Sequence, residues 1–257
     1  MLLVRAAAQG AVEPLEVYMI RRNRGMKFLG GYYAFPGGKV DPADSAPESF
    51  ARCWGLTAEA AGDLFAATAG APPLAFWITA VRELLEESGV LLACDREGRA
   101  VDAAEPGVPA AVERCRTALM AGEAPFAELL TREGWYADVR PLVYLSHFVT
   151  PRTSPIRFAA RFFLGTLPPG QAPRLFTEET SEGFWIHPGE GYRRFVAGEM
   201  AMAEPAEYGL GYLAQFTSLD DLHAASIGSQ EKFHGIVHRI DAFWAHFDWK
   251  ANRWPSR

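Results

Sequence analysis

Glu83, Glu86 and Glu87 stand close together in the string Arg82-Glu83-Leu84-Leu85-Glu86-Glu87-Ser88-Gly89-Val90. On a helix turning about 100° per residue, Glu86 and Glu87 fall about 60° and 40° to either side of Glu83, so three carboxylates share one face. Like charges at such spacings repel and destabilise an isolated helix. A hard divalent cation removes that penalty, and an all-oxygen cluster suits Mg²⁺ or Mn²⁺. The plainer alternative is an acidic, solvated helix without a ligand. It explains neither the glycine stop at Gly89 nor the double glycine upstream in Phe35-Pro36-Gly37-Gly38.

The same nine residues fill the core of the Nudix box, Arg-Glu-apolar-any-Glu-Glu-any-Gly-apolar, and on them the chain resembles the Nudix hydrolases. One departure is marked. The usual box places Glu after five residues beyond the glycine and Arg after seven more. Here Asp44 stands at the Glu position, and residues 45–81 separate it from Arg82. A box split by an insertion resembles the subgroup typified by mammalian Nudix member nineteen, an acyl-CoA and CoA diphosphatase. Downstream, Ser146-His147-Phe148-Val149-Thr150-Pro151, Arg157-Phe158, Arg161-Phe162-Phe163-Leu164 and Glu182-Gly183-Phe184-Trp185-Ile186-His187-Pro188 resemble further segments of that subgroup.

The resemblance implies a metal-dependent cleavage of a pyrophosphate. Metal ions neutralise the oxygens that repel a nucleophile and hold a water for in-line attack. Carried over from the family, Glu83, Glu86 and Glu87 are the carboxylate ligands of Mg²⁺ or Mn²⁺, and the Gly37 carbonyl is a further ligand. Glu83 is also a candidate to orient water, and Gly38 lets the backbone come close to the substrate. Arg82 is expected to orient a box glutamate, as a planar guanidinium does bidentately; the alternative is a surface ion pair worth about 0–1 kcal/mol. Asp44, with its short side chain, is expected to cap or brace the turn. A further acidic residue outside the box is expected among Glu178, Glu179 and Glu182, with Glu182 the first choice because it precedes the Trp185 strand. Arg22, Lys27, Gly31 and Phe35–Gly38 keep the spacing of a CoA-type pattern, although Lys27 replaces Arg and Ile20 and Asn23 depart from it. Arg22 and Lys27 are the candidate contacts to a 3′-phosphate; a solubilising loop between two strands is the alternative. The substrate expected is CoA or acyl-CoA. The rivals are ADP-ribose, NADH or another dinucleotide, and, in a different class, a non-catalytic nucleotide-binding module.

Those residues need elements to carry them. Leu15–Ile20 reads as a strand and 32–35 as a short strand delivering the chain to the glycines. Leu74–Ser88 is the predicted catalytic helix, with Gly89 at a left-handed cap. Between them lies a helical insertion at about 45–75, beginning near Ser45 with Pro47 in its first turn and closed by Pro72-Pro73. A second helical segment spans 93–134, best formed at 110–121. Strands follow at 142–149, 156–166 and 183–186, then helices from about 188, with 192–198 and 208–216 the candidates. The expected fold is α/β, resembling the Nudix α/β/α sandwich with a mixed sheet, in one domain over 1–257 with helical C-terminal additions.

With 257 residues and a net charge of −6, the chain lacks the basic excess of a nucleic-acid binder, though not the capacity to bind a small phosphate through a metal. The expected partner is a small nucleotide-derived substrate. Cys53, Cys94 and Cys115 are odd in number, without metal-ligand spacing, and read as reduced thiols in a cytoplasmic protein. No stretch reaches the length of a membrane span. His234, His238 and His246 read as solvated or packing residues, lacking a carboxylate constellation. Three roles are open to the insertion: covering the active site, contacting a partner subunit in a homodimer, or shaping an acyl pocket.

Overall fold

The run of β-branched and aromatic residues beginning at Leu15 forms a strand that pairs with three others. The computed structural model describes residues 1–26, 29–64, 71–150, 158–175 and 180–227. Strands β1 (Leu2–Ala6), β2 (Leu15–Arg22) and β3 (Tyr33–Ala34) are followed by a 3-10 turn at Pro42–Ser45 and helix α1 (Pro47–Ala51). Next come β4 (Cys53–Trp54), α2 (Ala58–Leu64), α3 (Pro73–Ser88), β5 (Ala93–Cys94), α4 (Val108–Met120), α5 (Phe126–Glu133) and β6 (Tyr136–Asp138). The chain continues through β7 (Val143–Val149), β8 (Ala159–Thr166), β9 (Thr180–Ile186), α6 (Pro188–Val196), α7 (Glu204–Leu213) and α8 (Leu219–Ser226). Among the described residues no helix is long and apolar enough to cross a membrane.

The chain divides into two compact units. One comprises Met1, 36–142 and 166–177; the other comprises 2–35, 143–165 and 178–257. In the second, a six-stranded sheet runs β3-β2-β1-β8-β7, with β9 against β2. Strand β2 pairs antiparallel with β1 (Val4 opposite Val17), with β3 (Ile20 opposite Ala34) and with β9 (Tyr18 opposite Trp185). Strand β7 pairs antiparallel with β8 (Val143 opposite Leu164). The apolar side chains of this sheet meet α7 and α8 in a core that includes Leu2, Val4, Val17, Met19, Phe148, Leu164, Leu210 and Leu222. Each such side chain withdrawn from water contributes roughly 1.5–3 kcal/mol.

The first unit is built on α3. Leu74, Trp77, Ile78, Val81, Leu84 and Leu85 of this helix are buried, and α1, α2, α4 and β6 pack against it. A small mixed sheet, β4-β6-β5, lies in the same unit, with β4 parallel and β5 antiparallel to β6. The insertion is therefore helical at α1 and α2, but it also contributes β4, a strand that local sequence did not reveal. The loop expected ahead of α4 is present, while α6 begins at Pro188 rather than Tyr192, because proline fits the first turn of a helix. Pro151, Arg157 and the three C-terminal histidines lie outside the described residues.

Candidate active site

Helix α3 starts with Pro73 in its first turn and stops at Gly89, whose φ of 71° is left-handed as expected of a C-cap glycine. Its polar positions bring Thr79, Arg82, Glu83, Glu86 and Glu87 towards the loop that carries Gly37 and Gly38. The Gly37 amide donates to Glu87 Oε2 at 2.6 Å. Arg82 Nη2 donates to the Lys39 carbonyl at 2.8 Å. The two halves of the split box are thus fastened to one another.

Arg82 is the centre of this fastening, and 8% of its surface is exposed. Its Nε and Nη2 bind the Asp44 carboxylate at 3.0 Å each, and its Nη1 reaches Glu83 Oε1 at 2.9 Å and Glu86 Oε1 at 3.0 Å. The surface-ion-pair alternative for Arg82 does not describe this environment. Burial works against its charge, but Asp44, Glu83 and Glu86 together hold the guanidinium's pKa above the usual value. Asp44 braces the turn as expected, but from the interior. It is 1% exposed and accepts from Thr79 Oγ1 at 2.7 Å and from the Asp41 amide at 2.9 Å. Asp41 in turn accepts from the Ala43 amide at 2.8 Å, closing a reciprocal cap on the 3-10 turn.

Glu83 is a strongly perturbed carboxyl. Burial disfavours its charge, Arg82 only partly offsets that, and Glu86 adds repulsion, so its pKa is pushed up to about 7. The backbone at Gly38 runs so close to it that a Cβ there would collide with the Glu83 carboxylate. The Met1 amino group donates to the Pro36 carbonyl at 2.6 Å in the same loop; burial pulls it down to about 6, while Glu87 and Glu83 pull the other way.

Glu182 and Arg22 belong to the other unit. Glu182, on β9, sits opposite Arg21 and accepts from its Nη1 at 2.8 Å. Arg22 ends β2; its Nε is buried without a hydrogen-bond partner among the described residues. Lys27, Glu178 and Glu179 lie outside the described residues. Sequence reasoning missed Thr79, whose spacing three residues before Arg82 offers a signal, and the Lys39 carbonyl, which offers none.

Comparison with known proteins gives this arrangement its place. The model of the NUDT19 Nudix domain matches residues 2–213. The chain belongs to the Nudix hydrolases. Within them it falls in the NUDT19-like subgroup. It is 30% identical over 266 residues to the acyl-coenzyme A diphosphatase NUDT19 of Gallus gallus, covering 87% of this chain and 69% of that protein. It is 29% identical over 245 residues to the acyl-coenzyme A diphosphatase NUDT19 of Homo sapiens, covering 84% of this chain and 65% of that one. The chain thus spans about two thirds of the length of these relatives. The crystal structure of a Nudix hydrolase from Alicyclobacillus acidocaldarius superposes with a TM-score of 0.67 at 30% identity, covering 88% of this chain and 94% of that chain. The fold class and the Nudix-type pyrophosphatase activity follow from this membership.

Nudix hydrolases typically use Mg²⁺ or Mn²⁺. Among the described residues no group of three or more His, Cys, Asp or Glu side chains already converges as a metal cage. Glu83 and Glu86 face Arg82, and Glu87 faces the Gly37 amide. The donor set nevertheless fits a hard cation. It consists of carboxylate and backbone oxygens, Gly38 leaves space for the Glu83 carboxylate that no other residue would, and Glu83 resists ionising without an added positive charge.

Proposed function

We propose that this Nudix hydrolase cleaves the pyrophosphate of CoA or acyl-CoA with Mg²⁺ or Mn²⁺. Water is consumed, and the products are 3′,5′-ADP and 4′-phosphopantetheine or its acyl derivative. The observation that carries the reading is the fastening of Gly37 and Lys39 to the Arg82–Glu87 turn across the insertion, in a chain similar to two acyl-coenzyme A diphosphatases.

In this reading Glu83, Glu86, Glu87 and the Gly37 carbonyl hold the ion. When bound, the metal neutralises the pyrophosphate oxygens and lowers the pKa of the attacking water. Glu83 also orients that water from its place beside Arg82 and Gly38. Arg82 keeps Glu83 and Glu86 in place, since one guanidinium nitrogen binds both. Gly38 leaves room for substrate oxygens beside Glu83. Glu182 supplies the further carboxylate, oriented by Arg21. Arg22 and Lys27 take the 3′-phosphate; the buried Arg22 Nε, without a hydrogen-bond partner among the described residues, supports this, because such a donor favours an anionic ligand. The family match over residues 2–213 supports reading the chain as one Nudix domain. The free cysteines support a cytoplasmic location.

The test is product analysis after incubation with CoA, acetyl-CoA, ADP-ribose and NADH, with and without Mg²⁺ or Mn²⁺. Metal-dependent release of 3′,5′-ADP is expected, with 3′-dephospho-CoA cleaved more slowly. Cleavage of ADP-ribose or NADH alone would remove CoA as substrate, and equal rates on CoA and its dephospho form would remove the role of Arg22. Nucleotide binding without turnover of any substrate would favour a binding module.

A further inference from the structure

The last carbonyls of a helix have no partner within it, and α3 ends with two of its glutamates in that last turn. Gly89 turns left-handed and donates to the Leu85 carbonyl, while the Val90 amide, which a continuing helix would give to Glu86, goes to Ser88 Oγ at 3.3 Å. The Glu86 carbonyl is thereby left for an outside donor. That donor is Arg116 of α4, whose Nε and Nη2 reach the Glu86 oxygen at 3.1 and 2.7 Å. Arg116 is 1% exposed and is the largest fully buried side chain among the described residues. It lies so near the cap that a Cβ on Gly89 would stand 3.2 Å from its Nη1. The last turn of α3 contains no basic residue of its own, so Arg116 brings a cation to the negative end of the helix dipole.

We propose that Arg116 is a positioning residue for the metal-holding turn, an assignment that rests on the metal reading given above. The peptide plane that it grips joins Glu86 to Glu87. Those two side chains leave that plane towards different partners, Arg82 and the Gly37 amide. Fixing the carbonyl fixes the starting points of both carboxylates. A forked guanidinium delivers two hydrogen bonds to one oxygen from a rigid frame, whereas an ammonium delivers a point charge. Residues that orient metal ligands through such contacts typically change metal affinity about 10–100-fold when replaced.

The experiment measures Mn²⁺ binding by the electron paramagnetic resonance signal of free Mn²⁺, on the wild type, Arg116→Met and Arg116→Lys. All are assayed well below their melting temperatures, with near-ultraviolet circular dichroism as the check on folding. The expected result is a dissociation constant about 10–100-fold higher for Arg116→Met, with Arg116→Lys between it and the wild type. A folded Arg116→Met that binds Mn²⁺ as the wild type does, even with a lowered melting temperature, would overturn the proposal and leave Arg116 a packing residue. Where Arg116→Met does not fold, Arg116→Lys decides: weakened binding supports the proposal and unchanged binding overturns it. A wild type that binds no Mn²⁺ would remove the metal reading itself, an outcome distinct from equal binding by wild type and variants.

Discussion

Replacing Asp44 by Asn removes one negative charge from a site that is 1% exposed and leaves Arg82 facing an amide. Asp44 Oδ1 accepts from Arg82 Nε, and Oδ2 accepts from Arg82 Nη2, Thr79 Oγ1 and the Asp41 amide, so both carboxylate oxygens are engaged. An amide offers one oxygen, and its NH₂ group points donors at donors. Removing one partner of a buried pair costs about 3–5 kcal/mol, because the remaining charge stays buried without its counter-charge. Arg82 keeps Glu83 and Glu86 within 3.0 Å, which places the expectation near the lower bound of that range. For a chain of this size about 3 kcal/mol lowers the melting temperature by roughly 6–12 °C. Urea unfolding followed by circular dichroism measures the loss through the shift in midpoint at constant slope. The double replacement Asp44→Leu with Arg82→Met is expected to recover much of that stability, since exchanging both members for apolar groups is often close to neutral. A loss of under about 1 kcal/mol in Asp44→Asn would refute the argument, because it would put the pair in the range of exposed salt bridges.

Gly38→Ala drives a methyl group into the Glu83 carboxylate, and a misplacement of about 1 Å there costs on the order of 10²-fold in turnover. Activity retained within a factor of two, measured on folded protein, would contradict the close approach. Glu83 has a folded pKa raised from 4.5 to about 7, so the folded, metal-free protein holds its proton more tightly than the unfolded chain. The stability this lends is full below pH 4.5 and is lost as the pH rises through about 7; in Glu83→Gln this part of the loss should vanish from urea midpoints taken across that interval. Burial pushes the thiol of Cys53 up to about 12 and those of Cys94 and Cys115 up to about 11. At pH 8 all three should react slowly with a disulfide reagent until urea unfolds the protein, and rapid labelling of Cys53 in the folded state would count against its burial.

The carboxylate face was readable because the spacing of Glu83, Glu86 and Glu87 is local to one helix turn, and Gly89 marks its end in the same few residues. The other half of the site is distant in sequence, yet Phe35–Gly38 identified it through residue types that few other contexts require. Asp44 was legible as a brace, since its short side chain suits a turn, but its burial against Arg82 and Thr79 was not, because that depends on how residues 45–81 fold back. Strand β4 pairs with β6 across more than eighty residues and has only two residues of its own, too few for a period to show. Arg116 was invisible for a different reason. Its acceptor is a main-chain carbonyl, which every residue possesses, so no side-chain identity on α3 announces the contact.

The contacts between the glycine loop and α3 also bear on how much chain can be threaded through the box. Lengthening a flexible connection from seven residues to that between Asp44 and Arg82 adds roughly 1.5 kcal/mol of closure entropy, because the penalty grows only with the logarithm of length. The contacts of Asp44 and Lys39 with Arg82, and of Glu87 with Gly37, span the insertion and work against that cost. The insertion is not free chain, however: α1 and α2 pack against α3 and β4 pairs with β6, so the helix that carries the carboxylates also anchors the inserted segment. A change within the inserted helices is therefore transmitted to the helix on which the box glutamates stand.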